Sequence, residues 1–191
     1  ILGGYGDGGF ILTHNFKLYS NIKKIRFYGI DTIDKKNNFY NKYYANINGL
    51  NSRLDEIHCS ILNIKIKQVK DFIKKRRHLA DIYNKELLDT SLVLPKENSD
   101  NKHVYHLYTV YHPKRESIIK ELEKKKIKVN IYYPYPIHKM KGYTNKKNIN
   151  SNLNLTNKMY KGIFSLPLYP ELKINDVKKI AKILKQILIK I

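Results

Sequence analysis

Residues 49–56 read Gly-Leu-Asn-Ser-Arg-Leu-Asp-Glu, and they directly precede the longest periodic apolar pattern in the chain. Ser52 followed by Asp55 is a carboxylate variant of the capping box, which predicts that a helix begins here. Apolar residues then recur at helical spacing from Ile57 to about Leu88. The pattern predicts one long helix or a kinked pair of helices, and that length indicates a connector between two domains.

Upstream of the connector, a glycine-rich segment at residues 3–9 leads into the apolar residues 10–13. This order predicts a turn followed by a short strand. Apolar residues at helical spacing then predict a helix from about Asn15 to Phe27, and Gly29 is expected to terminate it.

Downstream of the connector, the patterns of short strands and helices alternate. Strands are predicted at residues 106–111 and 129–132, with a helix from about 114 to 125 between them. The Pro-Tyr-Pro run at 134–136 ends the second strand, because each proline lacks an amide donor and fixes its own φ. Asn175 is the predicted cap of a last amphipathic helix.

The composition indicates a globular and strongly basic chain. Its 191 residues are 42% hydrophobic and 28% charged, with a formal net charge of +21. That is too much apolar material for a disordered chain. The charge suggests nucleic-acid binding, but lysines are spread along the whole sequence and no RNP-like, zinc or helix-turn-helix signature accompanies them. We therefore expect a solvated basic surface and no nucleic-acid partner.

Two features bear on the cellular setting. Cys59 is the single cysteine, so it cannot form an internal disulfide, and no apolar run approaches the length of a membrane span. Both favour a cytoplasmic protein without a membrane partner. Residues 1–4 contain no initiator Met, basic segment or apolar segment, so we expect neither a natural N-terminus nor a signal peptide.

Four stretches carry a family resemblance: the glycine-rich residues 2–9, the segment 49–56, Tyr-Pro-Tyr-Pro-Ile-His at 133–138, and Ser-Leu-Pro-Leu-Tyr-Pro at 165–170. Together, in this order and at this spacing, they resemble the DegT/StrS family of sugar-nucleotide aminotransferases, which depend on pyridoxal 5'-phosphate (PLP). The resemblance covers essentially the whole chain and corresponds to the second half of a family member.

The resemblance implies an α/β protein with the aspartate aminotransferase-like fold of type I PLP enzymes. Residues 1–52 would form the C-terminal part of the PLP-binding large domain, residues 53–88 the connecting helix or kinked helix pair, and residues 89–191 a small C-terminal α+β domain. The Schiff-base lysine would stand immediately before Ile1, so no catalytic residue is expected in this chain. Of a split at a PLP-modified lysine and a true fragment, the split is the preferred explanation of this start.

Asn51 is the predicted cofactor-binding residue. Its position just before the predicted helix would let its amide donate to a phosphate beside free helical N–H groups, although it also suits a simple helix cap. The resemblance implies that Asn51 reaches the PLP phosphate of the neighbouring subunit. A homodimer with shared active sites follows from that role.

Five residues are predicted to bind substrate. Arg53 would grip the substrate diphosphate with its planar fork, or else pair on the surface with Asp55 or Glu56. The resemblance implies that the remaining four line the sugar site, and His138 suits a structural role equally well. They are Tyr5, Tyr132, Tyr133 and His138. Tyr132 departs from the family pattern, which usually has histidine there.

The segments Arg-Phe-Tyr-Gly at 26–29 and Lys-Tyr-Tyr-Ala at 42–45 are most similar to those of members that aminate C3 of a dTDP-linked 3-keto-6-deoxyhexose. The resemblance implies glutamate as the amino donor and a role in bacterial surface-glycan (lipopolysaccharide O-antigen) biosynthesis. Residues 31–41 suggest a small insertion.

Two alternatives stay open. One is a sugar 3-dehydratase of the same fold, in which histidine replaces the cofactor lysine, so the residue before Ile1 decides. The other is a basic nucleic-acid-binding protein, which would bind with a steep salt dependence. No metal is predicted, because His103, His106 and His112 would not converge and no acidic or cysteine cluster joins them.

Overall fold

A computed structural model of the chain describes residues 1–31, 43–144 and 152–191. The segment predicted to be an insertion, residues 31–41, therefore lies outside the described residues except for Asp31. The chain divides into two compact units, which we call the N-terminal unit (Leu2–Gln68) and the C-terminal unit (Val69–Ile191). The division into domains at residues 52 and 88 stays a prediction.

The N-terminal unit contains helices α1 (Phe16–Arg26) and α2 (Glu56–Lys65), the latter followed by a 3-10 turn at Ile66–Gln68. The predicted start and end of α1 are confirmed. The Asn15 side chain accepts a hydrogen bond from the backbone N–H of Leu18 at 3.0 Å. At the other end, Gly29 has φ +78° and its N–H donates to the Lys24 carbonyl at 2.8 Å, which satisfies an open carbonyl of the last turn.

Two expectations for this unit were wrong. Residues 10–13 do not form a strand, because no segment among the described residues supplies the ladder hydrogen bonds that a strand requires. Helix α2 does not begin at Ser52, since its N-cap is Asp55. The backbone of Ser52 is engaged elsewhere, because its N–H donates to the Arg26 carbonyl at 3.0 Å.

The C-terminal unit begins with helix α3 (Val69–Leu87). Strand β1 (Tyr108–Tyr111) pairs antiparallel with β2 (Ile163–Leu166) in a two-stranded sheet. The other elements are α4 (Arg115–Lys124), a 3-10 turn (Ile137–Lys139), α5 (Lys141–Thr144), α6 (Asn154–Met159) and α7 (Ile174–Lys190). The helices predicted near residues 114–125 and at the end of the chain are thereby confirmed.

Two details of the C-terminal unit differ from expectation. The strand predicted at residues 129–132 is reduced to one bridge, between Asn130 and Ser165. Helix α7 starts after Lys173, so Asn175 lies inside its first turn and is not the cap. Neither boundary is fixed by local sequence, because a strand's extent depends on its partner and helix ends fray by a residue or two.

The hydrophobic core lies in the C-terminal unit, where α3 and α4 both pack on α7. Its side chains come from one stripe of each helix and from both strands, and the largest fully buried ones are Tyr83, Tyr108, Phe164, Leu87, Ile118, Leu122 and Leu184. The Tyr83 hydroxyl donates to the Pro167 carbonyl at 3.1 Å, so burial of the phenol leaves no unpaired polar group there. By contrast, Gly29 is the one buried residue among those described in the N-terminal unit.

Arg76 on α3 fastens two loops of the C-terminal unit. Its Nη1 donates to the backbone carbonyls of Tyr105, His106 and Leu168 at 3.2, 3.0 and 2.9 Å. Since these carbonyls lie outside the β1–β2 ladder, the guanidinium supplies hydrogen bonds that the sheet does not. Within the described residues, no helix is both long and apolar enough to cross a bilayer.

Candidate active site

Asn51 and Arg53 lie in a segment that is hydrogen-bonded to the end of α1. Phe27 and Asn51 form an antiparallel bridge, and the Tyr28 N–H donates to the Leu50 carbonyl at 2.9 Å. The backbones approach so closely nearby that a Cβ on Gly29 would lie 1.7 Å from the Ile47 carbonyl oxygen. Only glycine fits there, so the sequence around Gly29 fixes the position of the segment that carries both predicted site residues.

The Arg53 side chain is held from two sides. Its Nε donates to the Asn51 Oδ1 at 3.2 Å, and its guanidinium carbon lies 5.3 Å from the Phe27 ring centroid and 5.8 Å from that of Tyr28. Both distances are within the range of a cation–π contact. Arg53 forms no ion pair with Asp55 or Glu56, the alternative that the sequence left open. Its two terminal nitrogens remain as donors, in the planar arrangement that suits a phosphate.

Asn51 is exposed, and among the described residues the oxygen of its side-chain amide has a hydrogen-bond partner whereas the nitrogen does not. Its Oδ1 accepts from Arg53, so its Nδ2 protons are left to donate to a ligand. The expectation that Asn51 directly precedes the helix is wrong, because α2 begins only at Glu56. A phosphate here would therefore bind side-chain donors of Asn51 and Arg53. This donor set fits a phosphate group.

A surface cavity of about 710 Å³ adjoins this segment in the N-terminal unit. Its wall includes Ser52, the apolar residues Phe10 and Ile11, and the basic residues Lys23 and Arg26. An anionic ligand at the Asn51–Arg53 segment would thus meet further positive charge nearby.

Tyr5 lies on the glycine-rich segment, and the residue is 68% exposed. Lys65, at the end of α2, fastens this segment: its ammonium donates to the Gly3 carbonyl at 2.7 Å and lies 5.6 Å from the Tyr5 ring centroid. Sequence reasoning missed Lys65, because its contact with Gly3 joins residues 62 positions apart.

Tyr132, Tyr133 and His138 all belong to the C-terminal unit. The Tyr132 and Tyr133 rings meet edge to face at 5.6 Å, and both are exposed. Tyr133 lines an apolar cavity of about 570 Å³, together with Pro136 and Tyr160. His138 stands on the 3-10 turn, where its Nε2 lies 3.0 Å from the Oδ1 of Asn157 on α6, a residue that sequence reasoning missed.

In the part of the chain that the structure describes, no group of three or more His, Cys, Asp or Glu residues is placed to hold a metal ion. His103 and His112 use their Nδ1 atoms to accept backbone hydrogen bonds from Tyr105 and Lys114, at 2.9 and 3.1 Å. These hydrogen bonds give both histidines a structural role in their own loops.

Comparison with known proteins decides the family. The sequence profile of the DegT/DnrJ/EryC1/StrS aminotransferase family matches residues 2–185. The chain belongs to this family. Its members are PLP-dependent aminotransferases, so the predicted family and cofactor are confirmed at that level.

Named relatives include enzymes for two kinds of nucleotide sugar. The chain is 35% identical over 177 residues to a dTDP-3-amino-3,4,6-trideoxy-alpha-D-glucose transaminase from Micromonospora megalomicea subsp. nigra, covering 90% of this chain and 45% of that protein. It is 27% identical over 187 residues to a UDP-N-acetyl-3-dehydro-alpha-D-glucosamine 3-aminotransferase from Acidithiobacillus ferrooxidans, covering 98% of this chain and 48% of that protein.

The solved structures agree on the fold. A DegT/DnrJ/EryC1/StrS aminotransferase from Brucella abortus superimposes with a TM-score of 0.88 at 27% identity, covering 98% of this chain and 48% of that one. The predicted aspartate aminotransferase-like fold is thereby confirmed for the part of it that this chain spans. The chain spans slightly less than half the length of the relatives that it matches.

Proposed function

We propose that the protein containing this chain transfers an amino group from glutamate to a nucleotide-linked ketosugar, and that the sugar is a dTDP-linked 3-keto-6-deoxyhexose. The observation that carries the proposal is the 35% identity to a dTDP-3-amino sugar transaminase along 90% of the chain. The free donors of Asn51 and Arg53 are consistent with it, because both the cofactor and a nucleotide sugar present phosphate groups.

The chain's own contribution is to bind and orient. PLP, when bound, supplies the electron sink that amino transfer requires. Asn51 would donate its Nδ2 protons to the cofactor phosphate of the neighbouring subunit. Arg53, restrained by Asn51 and by the rings of Phe27 and Tyr28, would bind the substrate diphosphate with its terminal nitrogens. Because the guanidinium is already restrained, less conformational entropy is lost on binding.

Exposed aromatic residues would contact the sugar. Tyr5, Tyr132 and Tyr133 each combine an apolar ring with a hydroxyl, which suits the alternating apolar and hydroxyl faces of a deoxysugar. His138 would hydrogen-bond a sugar hydroxyl. We further propose a cytoplasmic homodimer with shared active sites that serves surface-glycan biosynthesis.

A UDP-linked 3-ketosugar is the second candidate substrate, favoured by the identity to the Acidithiobacillus ferrooxidans enzyme. A single labelling experiment separates the candidates. The protein containing this chain would be incubated with PLP, nitrogen-15-labelled glutamate and either the dTDP-linked or the UDP-linked 3-ketosugar. Mass spectrometry of the nucleotide sugar then reports label incorporation.

Labelled dTDP-amino sugar as the favoured product would support the proposal, and preferential labelling of the UDP sugar would replace the substrate. Loss of a sugar hydroxyl without any label would indicate a 3-dehydratase. If neither sugar acquires label and glutamate is not deaminated, the proposed amino transfer is wrong.

A further inference from the structure

His138 and Asn157 are brought together by two short helical elements of the C-terminal unit. The 3-10 turn that carries His138 is closed by the Lys139 N–H, which donates to the Pro136 carbonyl at 2.9 Å. In α6, the Asn157 N–H donates to the Leu153 carbonyl at 2.8 Å. The backbones of both residues are thus fixed independently of the contact between their side chains.

A second contact holds the same two elements in register. Lys139 lies next to His138, and its ammonium donates to the hydroxyl of Tyr160 at 3.3 Å and lies 4.9 Å from that ring's centroid. Tyr160 immediately follows α6. His138 and Asn157 are both half-buried and their contact is 3.0 Å long, so the amide is the partner that the fold supplies to Nε2.

The chemistry of the amide determines which ring nitrogen carries the proton. An amide oxygen only accepts hydrogen bonds, so Nε2 must carry the hydrogen when it contacts Oδ1. A neutral imidazole has one N–H and one lone pair, so Nδ1 is then the acceptor. Among the described residues, no donor to the His138 Nδ1 lies within hydrogen-bonding distance.

We infer that Asn157 is a positioning residue that holds His138 as the Nε2–H tautomer, so that Nδ1 accepts a hydrogen bond from a hydroxyl group of the sugar substrate. This inference rests on the proposed function for its ligand, whereas the tautomer itself is a property of the protein alone. An ionised partner such as aspartate would stabilise the imidazolium, which has no acceptor. Asparagine carries no charge, and in the neutral tautomer its contact with Nε2 leaves the Nδ1 lone pair available.

The test combines a spectroscopic and a kinetic readout on the protein containing this chain. Nitrogen-15 NMR distinguishes protonated from unprotonated ring nitrogens of a neutral histidine, and a His138→Gln variant assigns the signals. We expect a protonated Nε2 and an unprotonated Nδ1. Asn157→Lys places a donor where the acceptor was, so the tautomer should reverse, while Asn157→Asp restores an acceptor and should keep Nε2–H. Asn154→Lys, at the exposed start of α6, is the matched control.

The kinetic expectation follows from the lost hydrogen bond to the sugar. Asn157→Lys should lower kcat/KM for the ketosugar by about tenfold, the effect of one hydrogen bond, and leave the half-reaction with glutamate unchanged. Asn154→Lys should change neither.

The outcomes separate this inference from the proposed function. An Nδ1–H tautomer in the unmodified protein, or equal losses in both half-reactions, would overturn the inference even if the protein aminates sugars. Absence of amino transfer to any ketosugar would overturn the proposed function, while the NMR result would still decide the tautomer.

Discussion

Replacing Arg53 with lysine keeps the positive charge of the side chain but removes its planar fork. The variant also loses the Nε donor that contacts the Asn51 Oδ1 at 3.2 Å, and with it the orientation over the rings of Phe27 and Tyr28. Because Arg53 is exposed, the free energy of unfolding should change by no more than about 0.5 kcal/mol, as is usual for surface substitutions. The effect should therefore fall on ligand binding.

The size of the expected loss of affinity follows from the number of donors that each side chain offers to a diphosphate. Arginine presents two terminal nitrogens, whereas lysine presents one ammonium, so one charge-assisted hydrogen bond is lost. Such a bond contributes about 1.5–3 kcal/mol. Affinity for the nucleotide sugar should fall roughly ten- to a hundredfold, since each 1.4 kcal/mol is about a factor of ten. Arg53→Gln, which also removes the charge, should weaken binding further.

The assay is isothermal titration of the PLP-loaded protein containing this chain with the nucleotide sugar, alongside KM for glutamate. Arg77→Lys serves as the matched control, because Arg77 pairs with Glu97 at 2.8 Å and lies on α3 in the C-terminal unit. We expect normal sugar affinity for Arg77→Lys and normal KM for glutamate in both variants. If Arg53→Lys binds the nucleotide sugar as tightly as Arg77→Lys does, Arg53 does not bind the diphosphate.

Three further predictions concern stability. Gly29→Ala should destabilise the N-terminal unit by more than about 1 kcal/mol, because the backbone has φ +78° and the new Cβ would overlap the Ile47 carbonyl; amide hydrogen exchange of residues 2–31 and 43–68 reports it. Arg76→Met should lower the free energy of unfolding by about 1–3 kcal/mol in urea titration, because it leaves three backbone carbonyls without their donor. Burial lowers the pKa of His112 from its ordinary 6.5, so as the pH falls the unfolded chain binds the proton before the folded protein does. Stability measured by thermal unfolding should therefore be constant above about pH 6.5 and decrease below it. In His112→Gln this decrease with falling pH should be less steep.

Each stability prediction has a control in the same element or residue type. Gly9→Ala should leave the hydrogen exchange of the N-terminal unit nearly unchanged, because a Cβ there would have no atom of the described residues within 4 Å. Lys75→Met, on an exposed position of α3, should leave urea stability unchanged. The exposed His14, changed to glutamine, should not alter the pH dependence. Burial also lowers the pKa of His106, so a residual slope in His112→Gln is expected, whereas an unchanged slope would contradict the role of His112.

Local signals predicted the helices well, whereas of the three predicted strands only the one at residues 106–111 is confirmed, as β1. Asn15 and Gly29 bounded α1 correctly, because a cap and a terminator act through hydrogen bonds within a few residues. Residues 10–13 and 129–132 were expected to be strands, yet the first is unpaired among the described residues and the second keeps one bridge. A short apolar segment is able to pair as a strand, but whether a partner strand lies alongside depends on distant sequence.

The same reason explains the misplaced start of α2. Ser52 has the side chain and spacing of a helix cap, but its backbone N–H donates to the Arg26 carbonyl, and the cap of α2 is Asp55, three residues later. Pairing of the two segments around Gly29 and Gly49 overrode the local capping preference. Tertiary hydrogen bonds of this kind outweigh a single cap, which contributes about 1 kcal/mol.

Sequence by itself determined the family, the fold class and the identities of the predicted site residues, because these depend on residue types at fixed spacing along the chain. The tertiary structure alone decided what those side chains are able to do. Phe27 and Tyr28 restrain the guanidinium of Arg53 from 26 and 25 residues away in the sequence. Asn157 contacts Nε2 of His138 from 19 residues away. Which donors and acceptors remain free for a ligand is set by such distant partners, and only packing brings them together.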